Sequence, residues 1–343
     1  MTRPLLSRRR LVSFGLTMGL AAPALLAHPL AAGAQADRFA RTRAAAGALD
    51  QLHALVILHR GREVLAEAFR GPAPDRAVNV KSVSKTLVAS IAAAVIGTGR
   101  LTLDTTIGAA APRLIPAGAD PRVRDLTVAD FLTMQTGLER TSGGNYGAWV
   151  SSRNWVSYVL DREMTGTPGR GMMYSTGSFH VLGAMLTEVT GESLLALARA
   201  RLGRPLGVRI DGWTRDPQGF YMGGNNMALS PRAMAAFGEA WRQGGAGPAG
   251  RLVPPGWVET AWTPRTRSPF SGDAYGLGWF LFDADGTPAA YARGYGGQMI
   301  YVLPGHELVV AVTSDDSRPA RSEGHAGDLK RLLVGTILPD IRA

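Results

Sequence analysis

The sequence predicts an α+β fold: an antiparallel sheet assembled from both ends of the chain, with a mainly helical insertion between them. Three observations carry this expectation. Residues 53–59 (HALVILH) and 63–69 (EVLAEAF) are strand-like runs around Arg60-Gly61-Arg62, a β-hairpin with glycine in its turn. From 126 to about 260 the apolar residues recur with helical period. After Gly244 the pattern changes again, to short strand-like runs separated by turns.

Taken in order, residues 37–50 are rich in alanine and arginine and read as a helix, and Pro72 and Pro74 end the hairpin that follows. The stretch 79–86 (NVKSVSKT) leads into a helix-forming run at 87–96, which stops near Gly97-Thr98-Gly99. An irregular, proline-containing loop begins at 101–107. Residues 127–134 (TVADFLTM) read as a helix with Thr127 as its cap and Gly137 beyond its end, and 149–164 as another. Pro168-Gly169-Arg170-Gly171 forms a tight approach to Tyr174-Ser175-Thr176-Gly177. Helices are expected at 178–190, ending at Gly191, and at 193–202; 213–226 is loop-like, rich in glycine and asparagine. Ser230-Pro231 opens a helix to 243, with proline near its first position. Strands are expected at 275–282, 289–292, 299–303 and 308–313, and a closing helix at 325–338. The sheet region thus covers about 50–80 and 270–343, and the helical region about 85–265.

Residues 1–36 read as an export signal. Arg8-Arg9-Arg10 precede an apolar segment at 11–26, and Ala34-Gln35-Ala36 closes it as an A-x-A cleavage pattern. Consecutive arginines point to the twin-arginine route of bacteria, with an ordinary secretory signal as the alternative. Pro23 and Pro29 interrupt the segment, which argues against an uncleaved anchor. The expected location is periplasmic or secreted, without stable membrane insertion once the signal is cleaved. Loss of the signal lowers the net charge from +10 to +6, mild for the remaining domain at 37–343. No dense basic run or interleaved aromatic pattern speaks for nucleic acid. The absence of cysteine excludes disulfides, thiolate metal sites and a lipid-modified amino terminus. Of 37 basic residues only 3 are lysines, and two of those, Lys81 and Lys85, bracket Ser82.

Ser82 and Lys85 stand in S-x-x-K spacing. On a helix that starts near Ser82, residues three apart share a face, so the Lys85 amine reaches the Ser82 hydroxyl. A serine hydroxyl needs a base to take its proton, and an amine held dry beside it is one. Tyr174 is a second candidate, since a buried tyrosine next to a lysine relays a proton, although a packing tyrosine at a helix start fits the same letters. A third is 293–298 (RGYGGQ), whose glycines let backbone amides approach a developing oxyanion, or simply make a hairpin turn. No G-x-S-x-G occurs, the six histidines show no metal-ligand spacing, and His180 reads as a packing residue. The G-x-G-x-x-G at Gly245, Gly247 and Gly250 follows a helix and contains Pro248, so it is not a dinucleotide motif. No cofactor is expected.

Taken together, the ordered motifs KSVSKT, GRLTLDTTIG, LTVADFLTMQTGL, PGRGMMYSTGSFHVLGAMLTEVTG, DPQGFYMGGNNMALSPRAMAAFG, YGLGWF and GYGGQMIYVLPGHELVVAVTS carry a resemblance. The chain resembles the penicillin-recognising serine hydrolases, which include class C β-lactamases, related esterases and D-amino-acid peptidases, and looks most similar to their 6-aminohexanoate-dimer-hydrolase-like branch. The resemblance implies a β-lactamase/transpeptidase-like fold, an antiparallel sheet flanked by helices plus a mainly helical subdomain. It implies Ser82 as acylated nucleophile, Lys85 as general base, Tyr174 as proton-transfer group, and the amides of Ser82 and Tyr295 as oxyanion hole. Two departures stand out. Thr176 occupies the place of an asparagine, and Ala292 that of a substrate-holding lysine, with Arg293 expected on the other face of its strand. The implied function is hydrolysis of a small ester, amide or peptide. A true β-lactamase or D,D-peptidase is the alternative, and from another class an inactive module that binds cell-wall peptide. For Lys85 to act as base near neutrality its pKa must fall by roughly 3 units, about 4 kcal/mol, through burial and a neighbouring cation such as Lys81.

Overall fold

Eight strands form one antiparallel sheet: β1 (Leu52–His59), β2 (Arg62–Ala68), β3 (Thr266–Arg267), β4 (Ala274–Tyr275), β5 (Phe280–Asp283), β6 (Pro288–Gly294), β7 (Gln298–Leu303) and β8 (Leu308–Ser314). The computed structural model describes residues 38–321 and 324–343, so the export signal expected at 1–36 lies outside the described residues. The strand order is β2-β1-β8-β7-β6-β5-β4-β3. The amino-terminal hairpin therefore joins the sheet through the last strand of the chain, with Leu55 opposite Val312. Its turn needs two residues with positive φ, and Arg60 (φ 54°) and Gly61 (φ 75°) supply them. Every residue of β8 is buried, as expected of a strand covered on both faces.

The helices that frame the sheet and the site include α1 (Ala40–Gly47), α2 (Val83–Ile96), α3 (Val128–Thr133), α4 (Tyr146–Val150), α5 (Trp155–Leu160), α6 (Thr176–Thr190), α7 (Leu194–Ala198), α8 (Pro231–Arg242), α9 (His325–Leu332) and α10 (Leu338–Arg342). Helix α8 lies on β1, β7 and β8, and α2 on β6 and β7. The close approach of α8 is made at Gly238, where a Cβ would stand 2.6 Å from Val309 and 2.9 Å from Ile300. On the opposite face α1 meets β1 and the carboxy-terminal helices. The buried Asp340 carboxylate ties α10 to α1, accepting from Thr42 Oγ1 at 2.7 Å and Arg41 Nε at 2.9 Å.

Local signals placed several helix ends. Thr127 and Asp130 form a capping box on α3, Ser230 accepts from the Ala233 amide ahead of α8, and α6 stops at Gly191 (φ 72°). Four expectations need correction. The helix expected at 149–164 is two, because Asn154 caps a fresh start by accepting from the Ser157 amide at 3.0 Å. The strand expected at 275–282 is split into β4 and β5 by a bend at 276–279, where Gly278 takes φ 82° and its hydrogens face Ala89 of α2. The helix expected at 193–202 tightens to α7 and then widens into a π-turn at Arg199–Gly203. The closing helix runs on to Arg342 through a second wide turn, Leu333–Ile337. Strand β3, which pairs with β4, was not expected from sequence.

Candidate active site

Ser82 is the N-cap of α2, yet its side chain makes no capping bond. Its hydroxyl is turned to Lys85, one helical turn on, whose Nζ lies 2.9 Å from Ser82 Oγ. The chain enters this helix through Lys81 at φ 49°, a left-handed conformation that costs a non-glycine residue about 1 kcal/mol or more. Asn79 Oδ1 supports it by accepting from the Lys81 amide at 2.9 Å. Ser84 adds a second brace, donating to Lys81 O at 2.6 Å and accepting from the Met227 amide at 3.1 Å.

Lys85 is 2% exposed. Its amine donates to Ser82 Oγ, to Thr176 Oγ1 at 3.1 Å and to the Gly224 carbonyl at 2.8 Å, with no carboxylate among these partners. Burial alone brings its pKa down from 10.5 to about 7. Lys81, expected from the sequence to lower this pKa by its charge, does not do so. Lys81 Nζ forms an ion pair with Asp316 at 2.9 Å, and desolvation accounts for the shift. Tyr174 stands across the site with its ring centroid 4.8 Å from Lys85 Nζ. Burial raises its phenol pKa, which outweighs the opposing effects of a hydrogen bond with Ser82 and of the Arg293 charge. The same dry environment therefore favours a neutral amine and a neutral phenol: a base and a proton donor.

The Lys85 partners come from two stretches that the sequence marked, the start of the helix after Tyr174 and the 213–226 loop, although their contact with the lysine was not read from it. Thr176 opens α6, whose cap residue Ser175 leaves the first amides free. The loop at 141–142 satisfies them from outside: Ser142 Oγ accepts from the Thr176 amide at 2.8 Å and Thr141 Oγ1 from the Gly177 amide at 2.9 Å. Ser142 Oγ also lies 2.9 Å from Thr176 Oγ1, so a chain of hydroxyls leads from Ser142 through Thr176 to Lys85. The Gly224 carbonyl is delivered by the 213–226 loop, pressed so close to α6 that a Cβ on Gly224 would stand 2.7 Å from Thr176 O. His180 anchors this loop. Its Nε2 lies 3.0 Å from Asp216 Oδ2 in full burial, while Asp216 Oδ1 accepts from the Gln218 and Phe220 amides. His180 is a packing residue as expected, and its carboxylate partner is the first residue of the DPQGFYMGGNN stretch.

The end of β6 closes the other side. A Cβ at Gly294 would stand 2.4 Å from Val80 O and 3.1 Å from Lys81 Cβ, so this strand end runs against the peptide leading to Ser82. Tyr295 follows, in a three-residue turn with Gly296 at φ 78° and Gly297 at φ 101°, and its side chain is 53% exposed. Ala292 is fully buried and offers no charge where a substrate-holding lysine was sought. Phe270, on the loop joining β3 and β4, meets the Tyr174 ring edge-on at 6.4 Å.

The family model described as Beta-lactamase matches residues 37–334. This chain belongs to the β-lactamase family. The 6-aminohexanoate-dimer hydrolase of Paenarthrobacter ureafaciens is 27% identical over 236 residues, 63% of this chain and 58% of that protein. Esterase EstB of Burkholderia gladioli is 29% identical over 182 residues, 48% of this chain and 46% of the esterase. The β-lactamase-family chain thus spans about half the length of the curated relatives it matches. Among solved structures, EstCE1, described as a hydrolase with promiscuous acyltransferase activity, superposes with a TM-score of 0.72 at 18% identity. The match covers 90% of this chain and 100% of that one, and the fold is that of β-lactamases and transpeptidases.

Proposed function

We propose that this β-lactamase-family chain is a serine hydrolase that cleaves an ester or amide bond by two-step acyl transfer. The observation that carries the reading is the buried Lys85 amine, 2.9 Å from Ser82 Oγ, with a pKa brought to about 7 and no carboxylate bonded to it. In the neutral amine two hydrogens go to Thr176 Oγ1 and the Gly224 carbonyl, and the lone pair accepts the Ser82 hydroxyl proton. Ser82 Oγ then bonds to the substrate carbonyl carbon as its proton passes to Lys85 Nζ. The amides of Ser82 and Tyr295 hold the tetrahedral oxyanion. As the bond to the leaving group breaks, Tyr174 gives its phenolic proton to the departing oxygen or nitrogen and recovers one from Lys85. A water, deprotonated by the same pair, attacks the acyl-enzyme and returns the proton to Ser82.

Two features support esters or linear amides over β-lactams. The Thr176 hydroxyl is committed to Lys85 and Ser142, and Ala292 supplies no cation for a β-lactam carboxylate. The resemblance to the 6-aminohexanoate-dimer hydrolase and to EstB points the same way. Ser82→Ala is expected to abolish turnover of a p-nitrophenyl ester while the folded circular dichroism spectrum is kept. Turnover that survives the substitution sinks the assignment, and nitrocefin hydrolysis as fast as ester hydrolysis favours a true β-lactamase. Failure of a fluorophosphonate probe to label the folded protein favours a binding module without catalysis.

A further inference from the structure

On the face of the sheet that carries α9, a cavity of about 450 Å³ lies between β5, β6, β7, α9 and the loop joining β3 to β4. Tyr291 and Tyr301, paired across β6 and β7, line it together with Phe282 and Met299. Among the described residues, four cations, Arg293, Arg321, Lys330 and Arg331, line it with one acid, Asp273. That acid is already engaged: Asp273 Oδ2 accepts from the Tyr291 hydroxyl at 2.6 Å, and Lys330 stands 4.0 Å from Oδ1. Arg331 is paired with Asp328, Arg321 lies over the Phe270 ring and Lys330 over the Phe282 ring. Arg293 differs from these. It is half-buried, and among the described residues it has no ion-pair partner. A guanidinium withdrawn from water without an anion leaves its planar fork of donors unspent, and that fork matches a carboxylate.

The cavity also adjoins the chemistry. Phe270 forms one of its walls and meets Tyr174 edge-on, and the Arg293 charge is felt at the Tyr174 phenol. Gly294, the next residue, presses on the peptide before Ser82. Strand alternation does aim Arg293 away from the face of Ala292, as the sequence predicts. Because Arg293 lies at the end of β6, that outward aim brings it to the cavity beside Tyr174.

We infer that this cavity is a substrate subsite in which Arg293 receives a carboxylate carried at the end of a short chain on the ester or amide. The tyrosine, phenylalanine and methionine side chains hold the chain, and Lys330 and Arg321 strengthen the field around the anion. The inference rests on the serine-hydrolase reading and gives it a preference for acidic substrates. It also gives the site a cation in place of the one that Ala292 lacks, on the far side of the same strand.

The test uses p-nitrophenyl half-esters of succinate, glutarate and adipate beside the same esters with the free acid capped as a methyl ester. The full-length protein is expected to favour at least one free acid over its capped partner by tenfold or more in kcat/KM at low salt. Arg293→Gln is expected to reduce that ratio by tenfold or more, chiefly through KM, and Arg293→Lys to restore part of it. Equal rates on both members of every pair, or an R293Q loss shared equally by both, overturns the subsite. A second arm does not depend on turnover. Glutarate titrated into Ser82→Ala protein by calorimetry is expected to bind, with Kd at least tenfold weaker when R293Q is added. Absence of binding, or binding indifferent to R293Q, overturns the subsite. If no ester of either kind is turned over, the hydrolase reading fails, while the calorimetry still decides the anion site.

Discussion

Burying Lys85 moves its amine from 10.5 to about 7, a difference of about 5 kcal/mol between its two protonation states. The folded pKa lies below the unfolded one, so the charged form is penalised in the fold. The penalty is complete below about pH 7, shrinks as pH rises towards 10.5 and is absent above that. Lys85→Met should therefore be inactive yet more stable at pH 7 by about 1–3 kcal/mol, the rest being offset by hydrogen bonds lost at Thr176 and Gly224. In urea titrations its advantage over the unaltered protein should narrow between pH 7 and 10.5. An equal or lower midpoint at pH 7, or an advantage that widens with pH, contradicts the assignment of Lys85 as a desolvated base. In the unaltered protein kcat/KM should rise with pH through an acid limb near 7, as the amine loses its proton.

At the scale of elements, the bend at 276–279 sets how closely the sheet approaches α2. Gly278 sits at φ 82° with a virtual Cβ 2.4 Å from Ala89 Cβ, and its carbonyl accepts from Thr86 Oγ1 at 2.7 Å. Thr86 adjoins Lys85, so this contact braces the helix turn that carries the base. Gly278→Ala meets both backbone strain and a clash, and is expected to destabilise by about 2–4 kcal/mol in chemical denaturation. A loss under about 0.5 kcal/mol would show that the contact is slack. Legibility divides along the same line. Thr127, Ser230-Pro231 and Gly191 act within a few residues of themselves, so their helix ends could be read directly. Ser82 and Lys85 share one helix turn, which made the S-x-x-K geometry readable too. Ser142, Gly224 and Asp216 reach the site or its supports from separate loops by tertiary packing, and no periodicity or spacing marks them. The β3–β4 hairpin escaped for a related reason. Its strands are only two residues long, too short for an apolar alternation to show, and β4 is held by register with β5.

For the molecule as a whole, β1, β7 and β8 are continuous apolar runs, which is what made strands legible near both ends of the chain. What composition could not convey is the consequence of that pairing for assembly. Leu55 and Val312 are about 250 residues apart, and closing a loop of that length costs about 5 kcal/mol in chain entropy. During synthesis β1 and β2 emerge first and can pair only with each other, and an isolated hairpin is at best marginal in water. Its place in the sheet does not exist until Leu308–Ser314 has left the ribosome. A chain ending at residue 307 should therefore lack a cooperative thermal transition, although it contains Ser82, Lys85, Tyr174 and Tyr295. A sharp transition in that truncated chain would show that the helical region folds without the sheet closing over it. Until the final strand arrives, the nucleophile and its base belong to an open polypeptide, so the enzyme activity proposed here should switch on once, after translation, and not grow with chain length.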